Sequence, residues 1–231
     1  MILSELGDIP IQVQKSQRRK TAEIEVNRGT VRVLIPDNLP DERLHDLLSK
    51  RISWIKDKIR KQAEVQVPAP KEYVSGESFT YLGRNYRLKV VQSKEENVRL
   101  LAGRFVVETP DLSDHGKIHD QLQLWYWRHA TKRMTEKVLR FSKSLGVEPR
   151  SIAIKDYQAR WGSCTSQGDI FFNWKIIIAP HRIVDYVVVH ELSHLVRHDH
   201  SPEFWRSVKR LVPDYQSEKQ WLKDYGHLLN I

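Results

Sequence analysis

Residues 187–205 read VVVHELSHLVRHDHSPEFW. An α-helix turns about 100° per residue, so positions four apart lie roughly 40° apart around the axis and one turn apart along it. His190 and His194 therefore share one helix face. Two imidazoles so placed can reach one ion at ~2.0–2.1 Å. Glu191 stands one step around the helix, poorly placed to bind that ion but able to reach a water on it. This is the general-base geometry of H-E-x-x-H zinc hydrolases. Tyr186, Val187, Val188 and Val189 precede the motif, so the helix is otherwise apolar. Burying His, Glu and His there without a partner is costly, and a bound metal answers that cost.

Two histidines leave zinc short of ligands, because a catalytic site wants three protein ligands and an open position. His200 is the leading candidate for the third. It lies beyond the expected helix end and directly before Ser201-Pro202-Glu203, which reads as a fresh helix start with a Ser cap, Pro at the first position and an acid in the first turn. A chain that turns there can fold His200 back onto the ion. His198 continues the register of His194, Glu203 sits in the second helix, and Asp199 suits a role orienting a ligand. All three remain rivals.

Upstream, Arg160-Trp161-Gly162-Ser163-Cys164 is rich in turn formers and separates two short expected strands, Ser151 to Asp156 and Asp169 to Asn173. Arg160 has the fork of donors that binds carboxylate or phosphate, and Trp161 can wall a cleft. These two are the candidate substrate-binding residues. Cys164 reads as a small buried hydrophobe.

The metal helix is expected over Arg182 to Val196, a second helix from Ser201 to Pro213, and a last one from about Ser217 to Leu228. A long helix carries Trp127, Ala130, Met134, Val138, Phe141 and Leu145 on one face, with Gly146 closing it. The first half of the chain is β-rich. Ile11 to Lys15, Ala22 to Val26 and Val31 to Ile35 suggest an antiparallel meander, with Asn27-Arg28-Gly29 as a turn. An amphipathic helix follows, with Leu44, Leu48, Ile52, Ile55 and Ile59 on its apolar face. The proline-bearing stretch Val65 to Tyr73 is a connector. A second strand set covers Phe79 to Leu82, Asn85 to Val91, Val98 to Leu101 and Arg104 to Glu108. The expected class is α+β, with a β-rich region over 1–110 and a metallohydrolase domain over 111–231 that can pack as one unit.

The 231 residues carry a net charge of +9. Lys and Arg exceed Asp and Glu by 3 over residues 1–70 and by 6 over 71–160, and balance over 161–231. A basic face of this kind attracts nucleic acid, nucleotides or other anions, although it is more often a solvated surface. Ile183 to Val196, the longest apolar candidate, is broken by charged and histidine residues, so no membrane span is expected. The first eight residues lack the pattern of a secretory signal, and Cys164 is the only cysteine. Both favour the cytoplasm.

The segment Val189 to Trp205, together with Arg160 to Cys164, resembles the YgjP-type metal-dependent hydrolases, zincin-like proteins related to the SprT and WLM metallopeptidase families. The resemblance is strong over about residues 120–210. It implies a zincin-like helical domain with a small sheet, one Zn2+ held by His190, His194 and His200, and Glu191 as the catalytic residue. A zinc metallopeptidase acting on peptide or protein substrates is the leading expectation. A metal-dependent nucleotide phosphohydrolase (pyrophosphatase) is the alternative. A nucleic-acid-associated protein rests on analogy alone.

Overall fold

The computed structural model describes residues 9–17, 21–27, 30–64 and 69–231. The N-terminal octet, part of the Asn27-Arg28-Gly29 turn and part of the Val65 to Tyr73 connector lie outside them. The fold is α+β, in two compact units, residues 1–68 and 69–231.

In the first unit, strands β1 (Ile11–Ser16), β2 (Glu23–Asn27) and β3 (Thr30–Pro36) precede helix α1 (Asp41–Glu64). The antiparallel meander expected here is corrected. β3 is central, β2 pairs with it antiparallel, and β1 runs parallel to it with Val13 beside Val33. Alternation fixes only the inner face of β3, where Val31, Val33 and Ile35 are fully buried; the neighbours it takes and their direction are set by pairing across the sequence. Leu44, Leu48 and Ile55 of α1 share a core with these residues and Ile11.

The second unit opens with β4 (Ser78–Tyr81), β5 (Arg84–Gln92), β6 (Asn97–Leu101) and β7 (Arg104–Thr109), in the order β4-β5-β7-β6. These strands match the expected second set to within a residue or so. The turn between β4 and β5 decides how the sheet docks. Leu82 and Gly83 both have positive φ, as a tight two-residue hairpin turn requires. Their amides donate to the carbonyls of Ile177 and Ile178 at 2.8 and 3.1 Å. A Cβ on Gly83 would lie 2.8 Å from Cα of Pro180, so only glycine lets the turn approach.

Helix α2 (His115–Leu145) is capped by Asp114, which accepts from the Lys117 amide, and closed by Gly146 at φ 70°. Its buried side begins earlier than the expected face, at Ile118 and Leu122, and runs through Tyr126, Ala130, Met134 and Val138. Tyr126 donates to the Thr80 carbonyl at 2.8 Å, and Lys137 pairs with Asp185 at 2.5 Å. These contacts tie α2 to the sheet and to the metal-motif helix.

Strands β8 (Ser151–Lys155), β9 (Gly162–Cys164) and β10 (Asp169–Asn173) form a third sheet, ordered β8-β10-β9. β10 is parallel to β8 and antiparallel to β9. Part of the expected turn-rich stretch is therefore an edge strand, because pairing with β10 overrides its local preference for turns. The Arg150 guanidinium clamps Asp169, with Nε donating to Oδ1 at 2.7 Å, and Ser151 donates to the same oxygen at 2.6 Å. Hydrogen bonding from Arg150, then Ser151, lowers the Asp169 pKa to about 2. A carboxylate depressed in the folded state stabilises the fold above its unfolded pKa of ~3.9 and loses that contribution as pH falls toward the folded value. The denaturation midpoint of the natural chain is thus expected to drop more between pH 6 and pH 3 than that of Asp169→Asn. Equal drops in urea titrations at the two pH values would remove this clamp from the account.

A short 3-10 helix (Trp174–Ile178) leads into α3 (His181–Ser193), followed by α4 (Pro202–Leu211) and α5 (Tyr215–Tyr225). Three valines in sequence are mediocre helix formers, at up to ~0.7 kcal/mol each. Val187, Val188 and Val189 are all buried, and burial contributes ~1.5–3 kcal/mol per side chain, so tertiary packing wins. No helix among the described residues is long and apolar enough to cross a membrane.

Candidate active site

α3 ends where the motif needs it to. His194 is its C-cap, and the chain continues as a turn in which the amides of Leu195, Val196 and Arg197 donate to carbonyls at Leu192 and Ser193. The helix is therefore shorter than the expected Arg182 to Val196. The early stop frees residues 198–201 to fold back. Ser201 then caps α4, its Oγ accepting from the Phe204 amide at 3.5 Å.

This turn brings His200 to His190 and His194. One ligand atom from each lies within 4.8 Å of the others. Nε2 of His200 is 3.3 Å from Nε2 of His190. Two such nitrogens face each other with their lone pairs unless a proton or a cation lies between them. Burial foremost, then the neighbouring His194 and His200, pushes the His190 pKa down to about 3, so this ring is neutral. Neutral imidazoles are the form that binds metal. His194 Nδ1 lies 3.2 Å from the Arg197 carbonyl, a contact that makes Nδ1 the donor and leaves Nε2 free. The donor set fits one zinc-type ion.

Aromatic rings hold the three imidazoles. Phe204 is fully buried, with its centroid 5.1, 4.7 and 4.8 Å from those of His190, His194 and His200. Trp205 stacks on His200 at 5.5 Å and on Tyr215 at 5.0 Å. The rivals lie elsewhere. Glu203 pairs with Arg206, Asp199 accepts from the Ser201 amide, and His198 lines a separate cavity with Glu148 and Leu195. Cys164 is also outside the cluster, and burial first, then Glu191, raises its thiol pKa to about 11.

Glu191 is 6% exposed. Burial raises its pKa to about 8, and the Arg160 charge opposes the shift. The carboxyl borders a cavity of about 370 Å³ lined by residues that include Trp161, Gly162, Tyr186 and His190. Gly162 of β9 lies directly against it, since a Cβ there would fall 2.7 Å from both Cγ and Oε1 of Glu191. The edge strand thus borders the same cleft as the carboxyl. Trp161 walls this cavity and packs against the backbone at Gly226. Arg160 is exposed, and its guanidinium lies 5.6 Å from the centre of the Tyr157 ring.

Several residues of the site escape a reading of motifs. Asn173 is 2% exposed, and its Nδ2 donates to the carbonyls of Tyr157 and Arg160 at 2.8 and 3.1 Å while its amide donates to Trp161 O. It pins the segment that carries Trp161 and Gly162. A polar residue closing an apolar strand, next to Trp174, was the available signal. Lys219, from α5, lines the cavity with no motif to mark it.

The family description "YgjP-like, metallopeptidase domain" matches residues 20–225, and the chain belongs to this family. The class is a metallopeptidase family, which points to a metal-dependent hydrolase of peptide or protein substrates; the match lends no support to nucleic acid. No curated protein matches the chain. Among solved structures, it is similar to the metallopeptidase zymogen abylysin of Pyrococcus abyssi at 19% identity and a TM-score of 0.37, over 38% of this chain and 90% of that one. The zymogen jannalysin of Methanocaldococcus jannaschii is similar at 16% identity and a TM-score of 0.34, over 38% and 93%.

Proposed function

We propose that this chain is a zinc-dependent metallopeptidase, with His190, His194 and His200 as the ligands of one Zn2+ and Glu191 as general base. The observation that carries this reading is the meeting of three imidazoles beside a buried carboxyl that opens onto a cleft. Zinc bound there would polarise a scissile carbonyl and acidify a water. Glu191 takes the proton of the attacking water and delivers it to the leaving amine. Burial raises the pKa of this carboxyl, which strengthens its carboxylate as a proton acceptor.

The peptide bond, rather than another, is favoured by β9. It is an edge strand of its sheet among the described residues, and Gly162 sets it against Glu191. An extended peptide can add to such an edge through main-chain hydrogen bonds. Trp161 would wall the bound segment, and Arg160 would meet a substrate carbonyl or carboxylate. The lone cysteine suits a reducing compartment, and the cytoplasm is the proposed location.

Cleavage of an unfolded protein should stop on treatment with chelator and return with stoichiometric zinc. Cleavage undiminished by the chelator would rule out metal dependence. The alternative, a nucleotide pyrophosphatase, has one observation in its favour, the lysines of the cleft. Phosphate or pyrophosphate release from nucleoside triphosphates, without cleavage of any polypeptide, would select it.

A further inference from the structure

The cavity beside Glu191 has a second chemical character that hydrolysis does not use. Lys219 and Lys223 of α5 both line it, alongside Leu222. They stand four apart, so they project from one helix face. Neither forms an ion pair with an acidic group among the described residues. The acids nearest them on α5 are engaged otherwise. Glu218 is buried against Arg182, and Asp224 accepts from Gln220 at 2.8 Å. Among the described residues, Glu191, whose proton-transfer role needs its carboxyl free, is the only acidic side chain lining the cavity.

Lys219 is also held in place. Its ammonium lies 4.5 Å from the centre of the Trp205 ring, the same ring that stacks on His200. A cation over an indole face keeps its charge while its position is fixed. Burial, then the charge of Lys223, lowers the Lys219 pKa. Two unneutralised ammoniums on one wall of a half-closed cleft attract an anion and disfavour a cation.

We infer that Lys219 and Lys223 form a specificity subsite for a substrate carboxylate, either an acidic side chain near the scissile bond or a free C-terminus. The inference rests on the peptidase reading for the identity of the substrate, and deepens it. The subsite selects substrates in which one turn of α5 reads an acid while β9 and Trp161 hold the backbone.

The test uses the full chain carrying Glu191→Gln, which blocks turnover, and isothermal titration with decapeptides. One glutamate is walked through each position of an otherwise neutral peptide, with glutamine at the same position as its control. Each peptide is made with a free and with an amidated C-terminus, which separates the two sources of carboxylate. At one or a few positions, or for the free terminus, binding should be tighter by about tenfold, the scale of a charge-assisted contact. The advantage should vanish when Lys219→Gln and Lys223→Gln are added. It should reverse in favour of a lysine-bearing peptide with Lys223→Glu, a change at an exposed position that spares the fold. Lys89→Gln, exposed on β5, should leave it intact and so exclude a general effect of net charge. Equal affinity for glutamate and glutamine peptides at every position overturns the inference. So does an advantage that survives the double substitution, or no peptide binding at millimolar concentration. Cleavage by the natural chain with zinc is read separately. Cutting without acid preference sinks the subsite alone, whereas acid-selective binding without any cutting upholds the subsite and sinks the peptidase reading.

Discussion

Glu191→Gln is expected to lower turnover on a polypeptide by about 10³-fold while zinc remains bound, within the range for loss of a positioned general base. Glutamine keeps the volume and polarity of the side chain but cannot accept the water's proton. The three histidines do not depend on this carboxyl for their arrangement. His190 and His200 meet through Nε2, His194 is oriented by the Arg197 carbonyl, and Phe204 backs all three. Steady-state kinetics and elemental analysis of the same sample separate the two effects. Activity within tenfold of the natural chain would move the base elsewhere, with Tyr186 next to examine. It lines the same cavity, although burial raises its pKa and keeps its phenol protonated, so that it has no free base to offer.

Gly162→Ala is expected to have the next largest effect, and for a reason no motif describes. The new methyl would lie 2.7 Å from Cγ of Glu191 as well as from Oε1. Swinging the carboxyl away relieves only the second contact. Either β9 moves off α3 or Glu191 leaves its place, and a misplacement of ~1 Å at a catalytic group costs about 100-fold in rate. Overpacking of this kind also destabilises a fold by ~1–3 kcal/mol. Zinc should stay bound, because Gly162 is not among the imidazoles that converge. Retention of full activity would show that the edge strand can shift freely, and would weaken the argument that it holds substrate against Glu191.

Much of this site is written locally. His190, Glu191 and His194 follow from helical spacing, and Ser201-Pro202-Glu203 marks the next helix by its cap. The break between them is what lets His200 return. The rest depends on pairing across long distances in sequence. β9 is three residues long and rich in turn formers, so it becomes a strand only because β10 supplies its partner. The parallel pairing of β1 with β3 is invisible for the same reason, since alternation shows that a strand has an inner face but not which neighbour it takes. Lys219 and Lys223 look like the wet side of an amphipathic helix. Only the packing of α5 beside α3 turns that side into a wall of the cleft.

Everything proposed here depends on three histidines holding one metal next to Glu191. Zinc-edge X-ray absorption on the purified 231-residue chain, with elemental analysis, is the decisive measurement. One zinc per chain is expected, with imidazole nitrogens at ~2.0–2.1 Å and no sulfur neighbour, and that zinc should be lost in His190→Ala, His194→Ala and His200→Ala. A sulfur scatterer at ~2.3 Å would bring in Cys164 and contradict it. So would zinc that survives removal of all three imidazoles.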